Sequence, residues 1–120
     1  MKLRSIALAA FTAGLLTSFT AGATSTTAQI TARSALIGLQ VAAKQRQAKG
    51  VLPAVQNDCI QALQPDELYA TTEKVVAEAL SADDVAAADQ FFNSLPGRKY
   101  ALHGLLSIYT ALGEQPPEPL

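Results

Sequence analysis

The chain has 120 residues, 49% of them hydrophobic and 16% charged, with a formal charge of −1. That length holds one domain, and the charge balance gives no basic stripe of the kind that binds nucleic acid. One cysteine and one histidine exclude an intrachain disulfide, and zinc sites of four cysteines or of two cysteines and two histidines.

Residues 1–23 read as a secretory signal peptide. Lys2 and Arg4 supply a short positive start, residues 6–16 are apolar and uncharged, and Ala21-Gly22-Ala23 has the small-x-small form that signal peptidase admits. Cleavage is expected after Ala23. Thr12, Thr17, Ser18 and Thr20 make the stretch a poor membrane span, so membrane association is expected only if the signal stays uncleaved. No cysteine stands at the junction to carry a lipid. Without Lys2 and Arg4 the mature chain has seven Lys and Arg against ten Asp and Glu, a mildly acidic −3. A domain of that size buries roughly 65% of its unfolded surface, enough for a core without staples.

Residues 24–29 are rich in Thr and Ser and read as a flexible linker. Residues 30–49 read as a helix ended by Gly50. Its middle, residues 35–43, is apolar on most sides, which suits a helix with more than one neighbour. Its end, Lys44-Gln45-Arg46-Gln47-Ala48-Lys49, is a solvated last turn that complements the helix dipole, or else a basic patch for anionic lipid.

Pro53 opens a second helix, on which Val55, Cys59, Ile60 and Leu63 share one face. Cys59 is then a small buried hydrophobe, or the link of a disulfide-bonded homodimer. Pro65 opens a third helix, with Asp66 and Glu67 in its first turn. Its apolar stripe is Leu68, Tyr69, Val75, Val76, Ala79 and Leu80.

Ser81 caps a fourth helix through the amide of Asp84. Val85, Ala88, Phe92 and Leu95 form its buried face, with Phe91 beside it. Asp83 and Asp84 point apart, so they read as helix N-terminal acids, not as a metal or acid–base cluster. The chain then turns at Leu95-Pro96-Gly97-Arg98, either as a type II turn or with Ser94 capping a helix whose first turn holds Pro96 and Gly97. Arg98 and Lys99 fall where the dipole disfavours cations. Either they pair with acids of the fourth helix such as Asp89, or they serve function. A last helix places Leu102, Leu105, Leu106, Tyr109 and Leu112 inward and stops at Gly113. Residues 114–120 form a Pro-rich tail.

The residues Leu80-Ser81-Ala82-Asp83-Asp84, followed by Phe91-Phe92-x-Ser94-x-x-Gly97-x-Lys99-Tyr100, resemble a family of exported bacterial helical domains known as DUF2059. The likeness covers roughly residues 53–112. Two features depart from the family pattern: Asp84 stands where a Glu is usual, and Pro96 lies one place late. The resemblance implies an all-α domain in the bacterial periplasm and brings no established activity.

The expectation is therefore an all-α bundle of about five short helices, residues 30–113, after a cleaved signal peptide. No phosphate loop, nucleophile elbow or metal-spaced His or Cys pair is present, and no cofactor or metal is expected. The first functional reading is a non-catalytic interaction module for an unidentified periplasmic or envelope protein. Its contact residues are Phe91, Ser94, Gly97, Arg98, Lys99 and Tyr100. The alternative is a carrier for a lipid or small apolar ligand. A hydrolase would have to use His103 with Ser107 and Lys99 on adjacent turns.

Overall fold

The computed structural model describes residues 24–117. Among them the fold is all-helical, with no strand. Five α-helices follow in order: α1 Thr26–Ala48, α2 Ala54–Gln61, α3 Tyr69–Ala79, α4 Ala82–Asn93 and α5 Leu95–Ala111. A 3₁₀ turn, Pro65–Leu68, leads into α3. The signal peptide expected at 1–23 and the last residues of the tail lie outside the described range.

α1 is the axis of the bundle, and every other helix packs on it. Its apolar middle explains this, since a helix without a polar face must be covered on several sides. Ala28, Ala32, Leu36, Val41 and Ala43 are buried along it, and Val76 of α3 and Leu105 of α5 are buried with them. Ala28 and Ala32 are wholly enclosed, because a methyl side chain lets neighbouring backbones come close.

The linker expected at 24–29 is instead the start of α1, and Thr27 and Ala28 in it are buried. Three separate groups satisfy amides that a helix start leaves without partners. Ser25 accepts from the Ala28 N–H at 3.1 Å. Asp89 of α4 accepts from the Thr27 N–H at 2.8 Å and the Thr27 hydroxyl at 2.7 Å. Glu73 of α3 accepts from the Ser25 N–H at 2.9 Å. Two carboxylates thus meet the positive end of the α1 dipole. Thr and Ser, which suggested a linker, act here as capping and anchoring residues.

Gly50 ends α1 as expected, at φ 74°. Its N–H donates to Gln47 at 2.9 Å and that of Val51 donates to Arg46 at 2.9 Å, the paired bonds of a Schellman motif. Gly113 repeats the arrangement after α5, with bonds to Thr110 and, from Glu114, to Tyr109. The beginning of the tail folds back on α1: Glu114 pairs with Lys44 at 3.6 Å, and the Gln45 side-chain amide donates to the Leu112 carbonyl at 2.6 Å.

The buried face expected on α2 forms only in part: Ile60 and Leu63 are half-buried. Val55 is 80% exposed and Cys59 is exposed, whereas Asn57 is buried. The α1–α2 contact is largely an amide network. Gln40 donates to the carbonyls of Ile60 and Leu63, both at 3.1 Å, and Gln61 donates to the Gln40 carbonyl at 2.7 Å. Asn57 donates to Gln47 at 2.6 Å and accepts from Gln61 at 3.0 Å. The carbonyls at the C-terminal end of α2 need partners, and Gln40 reaches them only when the Asn57–Gln61 side faces α1. Val55 and Cys59 are then left in solvent.

Of the stripe expected on α3, Val76 is buried, while Val75 and Leu80 are exposed. Ser81 caps α4 through the Asp84 N–H at 3.1 Å, as its position suggests. On the inward face of α4, Val85, Ala88 and Phe92 are half-buried, but Leu95 is 58% exposed because it begins α5. On α5, Leu105 is buried and Leu102, Leu106 and Tyr109 are half-buried, while Leu112 stands at the exposed C-cap.

Candidate functional site

A single extended residue separates α4 from α5. Ser94, at φ −75° and ψ 161°, is both the C-cap of α4 and the N-cap of α5. Its N–H donates to the Phe91 carbonyl at 3.0 Å, and its hydroxyl donates to the same carbonyl. The hydroxyl also accepts from the Gly97 N–H at 3.2 Å. Of the two turns the sequence allows, the capped helix is therefore the one that forms. Gly97 is not at positive φ, so a type II turn is absent. Its lack of a side chain serves close approach: a Cβ would overlap the Phe91 carbonyl group and lie 2.8 Å from the Phe92 Cα. Pro96, in the first turn of α5, occupies a position that needs no amide donor.

This tight corner sends the six expected contact residues to different places. Ser94 and Gly97 build the corner. Phe91 and Tyr100 come together outside it, their rings edge to face with centroids 5.9 Å apart. Phe91 also meets Phe92 edge to face at 5.3 Å. Phe91 is 44% and Tyr100 67% exposed. Lys99 is exposed. Arg98 lies two residues from Tyr100, hence nearly opposite it around the helix; it is also exposed and lines the rim of a pocket with Phe92.

Arg98 and Lys99 do not pair with Asp89, whose Oδ1 is engaged by Thr27. Among the described residues the one salt bridge is Lys44–Glu114. Of the two alternatives for these cations, pairing with Asp89 does not form; that carboxylate anchors the N-terminus of α1 instead.

The pocket has a volume of about 410 Å³. One wall is the α1 face carrying Thr26, Gln29, Ile30 and Arg33. The other is the α5 face carrying Arg98, Ala101, Leu102 and Leu105, and Phe92 and Asn93 close one end. Both walls show i, i+3, i+4, i+7 spacing, one side of a helix in each case. Sequence reasoning did not single out Arg33. Its signal was present, since no acidic residue stands three or four places from either Arg33 or Arg98 to form a local ion pair.

His103, Ser107 and Lys99 do follow one another on α5, but the Ser107 hydroxyl donates to the His103 backbone carbonyl at 2.8 Å. It is directed along the helix, not at the imidazole. Among the described residues no three His, Cys, Asp or Glu side chains gather to hold a metal ion, and no helix is long and apolar enough to cross a membrane.

No protein-family model, curated protein or solved structure matches the chain. The likeness to the exported helical domains rests on the quoted motif residues alone.

Proposed function

We propose that this protein is an exported, non-catalytic interaction module that engages a periplasmic or envelope protein through the aromatic corner between α4 and α5. One observation carries the reading: Phe91 and Tyr100, two large rings in mutual contact, stand exposed on a rigid bend. Exposed aromatic pairs are unfavourable in water and contribute strongly when a partner covers them. The bend adds to this. Ser94 and Gly97 fix the backbone beneath the rings, so little ordering entropy is lost on binding. Lys99, exposed beside them, adds a cation at the rim. Export is part of the proposal, and its support is the signal-like sequence at 1–23.

The test is capture from an envelope extract by the immobilised full chain, compared with the double variant Phe91→Ala/Tyr100→Ala. Loss of a specific partner with helicity retained supports the module. Equal capture by both proteins removes the aromatic corner as the contact site.

A second reading, a carrier for a small apolar ligand, draws on the pocket between α1 and α5. Its volume falls within the range of about 300–1,000 Å³ found for small-molecule sites.

A further inference from the structure

The pocket between α1 and α5 has a charge pattern that a purely apolar ligand does not explain. Two contacts that flank α5, one at the last residue of α4 and one at the C-cap of α5, set the register of its walls. Thr26 bonds Asn93 at 3.0 Å and Gln45 bonds Leu112 at 2.6 Å, each across 67 residues. α5 therefore runs alongside α1 in the same direction. With that offset Arg98 lies level with residue 31, two residues short of Arg33, or about 3 Å along the axis. Two guanidinium groups thus start from nearly the same height on facing walls of one pocket.

Neither has a carboxylate within salt-bridge distance among the described residues. The two acids that anchor the nearby start of α1, Asp89 and Glu73, are engaged by the Thr27 and Ser25 amides. Both arginines are exposed, so their mutual repulsion is screened by water and salt, and an anion held between them converts a weak repulsion into attraction. Guanidinium forks suit planar or tetrahedral oxyanions in particular. The apolar part of the lining is Ile30 on one wall, Ala101, Leu102 and Leu105 on the other and Phe92 at the end, with Thr26, Gln29 and Asn93 as neutral polar neighbours.

From this juxtaposition we infer that the pocket binds an amphiphilic anion, with an oxyanion head held between Arg33 and Arg98 and a short aliphatic chain along Ile30, Phe92, Leu102 and Leu105. The inference rests on the carrier reading and adds a charge requirement to it. The head is a carboxylate or a phosphate monoester, two groups that present the same acceptor chemistry to the two arginines.

Calorimetric titration of the full chain with octanoate, octyl phosphate, octanol and inorganic phosphate tests it. Octanoate or octyl phosphate saturates one site, and whichever binds tighter identifies the head. Octanol and inorganic phosphate each bind at least tenfold more weakly. Hexanoate binds about fifteenfold more weakly than octanoate, since each buried methylene is worth about fourfold. Arg33→Ala and Arg98→Ala each weaken the charged probes at least tenfold and leave octanol unchanged. Tyr100→Ala, on the opposite side of α5, changes octanoate affinity less than twofold. Equal binding of octanol and octanoate, or full affinity in Arg33→Ala/Arg98→Ala, overturns the charge requirement while the carrier reading survives. A large loss in Tyr100→Ala moves the site to the aromatic corner and overturns the inference. No saturable binding by any of the four probes removes both the inference and the carrier reading.

Discussion

Asp89 accepts both the backbone N–H and the hydroxyl of Thr27, at 2.8 and 2.7 Å, across 62 residues of chain. This carboxylate joins the first turn of the central helix to α4. Asp89→Asn keeps the shape but removes the charge that meets the helix dipole. Asp89→Ala removes both bonds and is expected to cost about 1.5–3 kcal/mol, as for hydrogen bonds to a charged group. In a double-mutant cycle with Thr27→Val the hydroxyl share should appear as a coupling of at least about 0.5 kcal/mol. Urea denaturation followed by circular dichroism reads both, and additive effects would show that the hydroxyl contact is not formed in solution.

Gly97→Ala should destabilise the fold, although the same change within a helix ordinarily stabilises it by about 0.5–1 kcal/mol. The added methyl meets the Phe91–Phe92 backbone, which cannot give way as a side chain can. The expected cost is at least about 1–3 kcal/mol. Gly104→Ala, on the same helix with nothing within 4 Å of the new atom, should follow the ordinary sign. Opposite shifts in the unfolding midpoint for the two variants confirm close approach at the corner, and a stabilised Gly97→Ala refutes it.

What the sequence made legible was local. Gly50, Ser81 and Gly113 each act within a few residues, and the chain alone showed what they do. Ser94 was legible as one of two alternatives, and the separation of the two required Gly97, whose constraint comes from the turn before it. The start of α1 was not legible. Thr and Ser serve linkers and helix caps alike, and the groups that decide between them, Glu73 and Asp89, lie 48 and 62 residues away. The orientation of α2 was misread for a related reason. Periodicity counts apolar side chains, and here backbone carbonyls seeking the Gln40 amide outweigh one valine and one cysteine. The candidate site divided in the same way: its six residues were identified, but helix geometry separates Arg98 from Tyr100.

Gln40→Leu preserves bulk on the α1 face that meets α2 and removes the amide that satisfies the α2 carbonyls. The carbonyls of Ile60 and Leu63 then lose a donor, at a cost of about 1–3 kcal/mol for whatever part stays buried. Hydrogen exchange should show the loss as faster opening of residues 54–61 than of α1. Uniform acceleration across the chain would argue against a local role for Gln40.

The Cys59 thiol should react with a disulfide reagent in the native protein, without denaturant, because the side chain is exposed. Cys59→Ser should shift stability by no more than about 0.5 kcal/mol, as surface changes do. Slow labelling that accelerates only on unfolding would restore the buried placement.

The anchoring of α1 also bears on the order of events in the export proposed above. With the proposed cleavage after Ala23, only Thr24 separates the severed bond from Ser25, whose amide is tied to Glu73. A peptidase must draw the chain on both sides of that bond through its own cleft, which the closed helix start does not permit. On that proposal, leader removal would come before α3 and α4 seat on α1, and a precursor folded beforehand would be a poor substrate for processing.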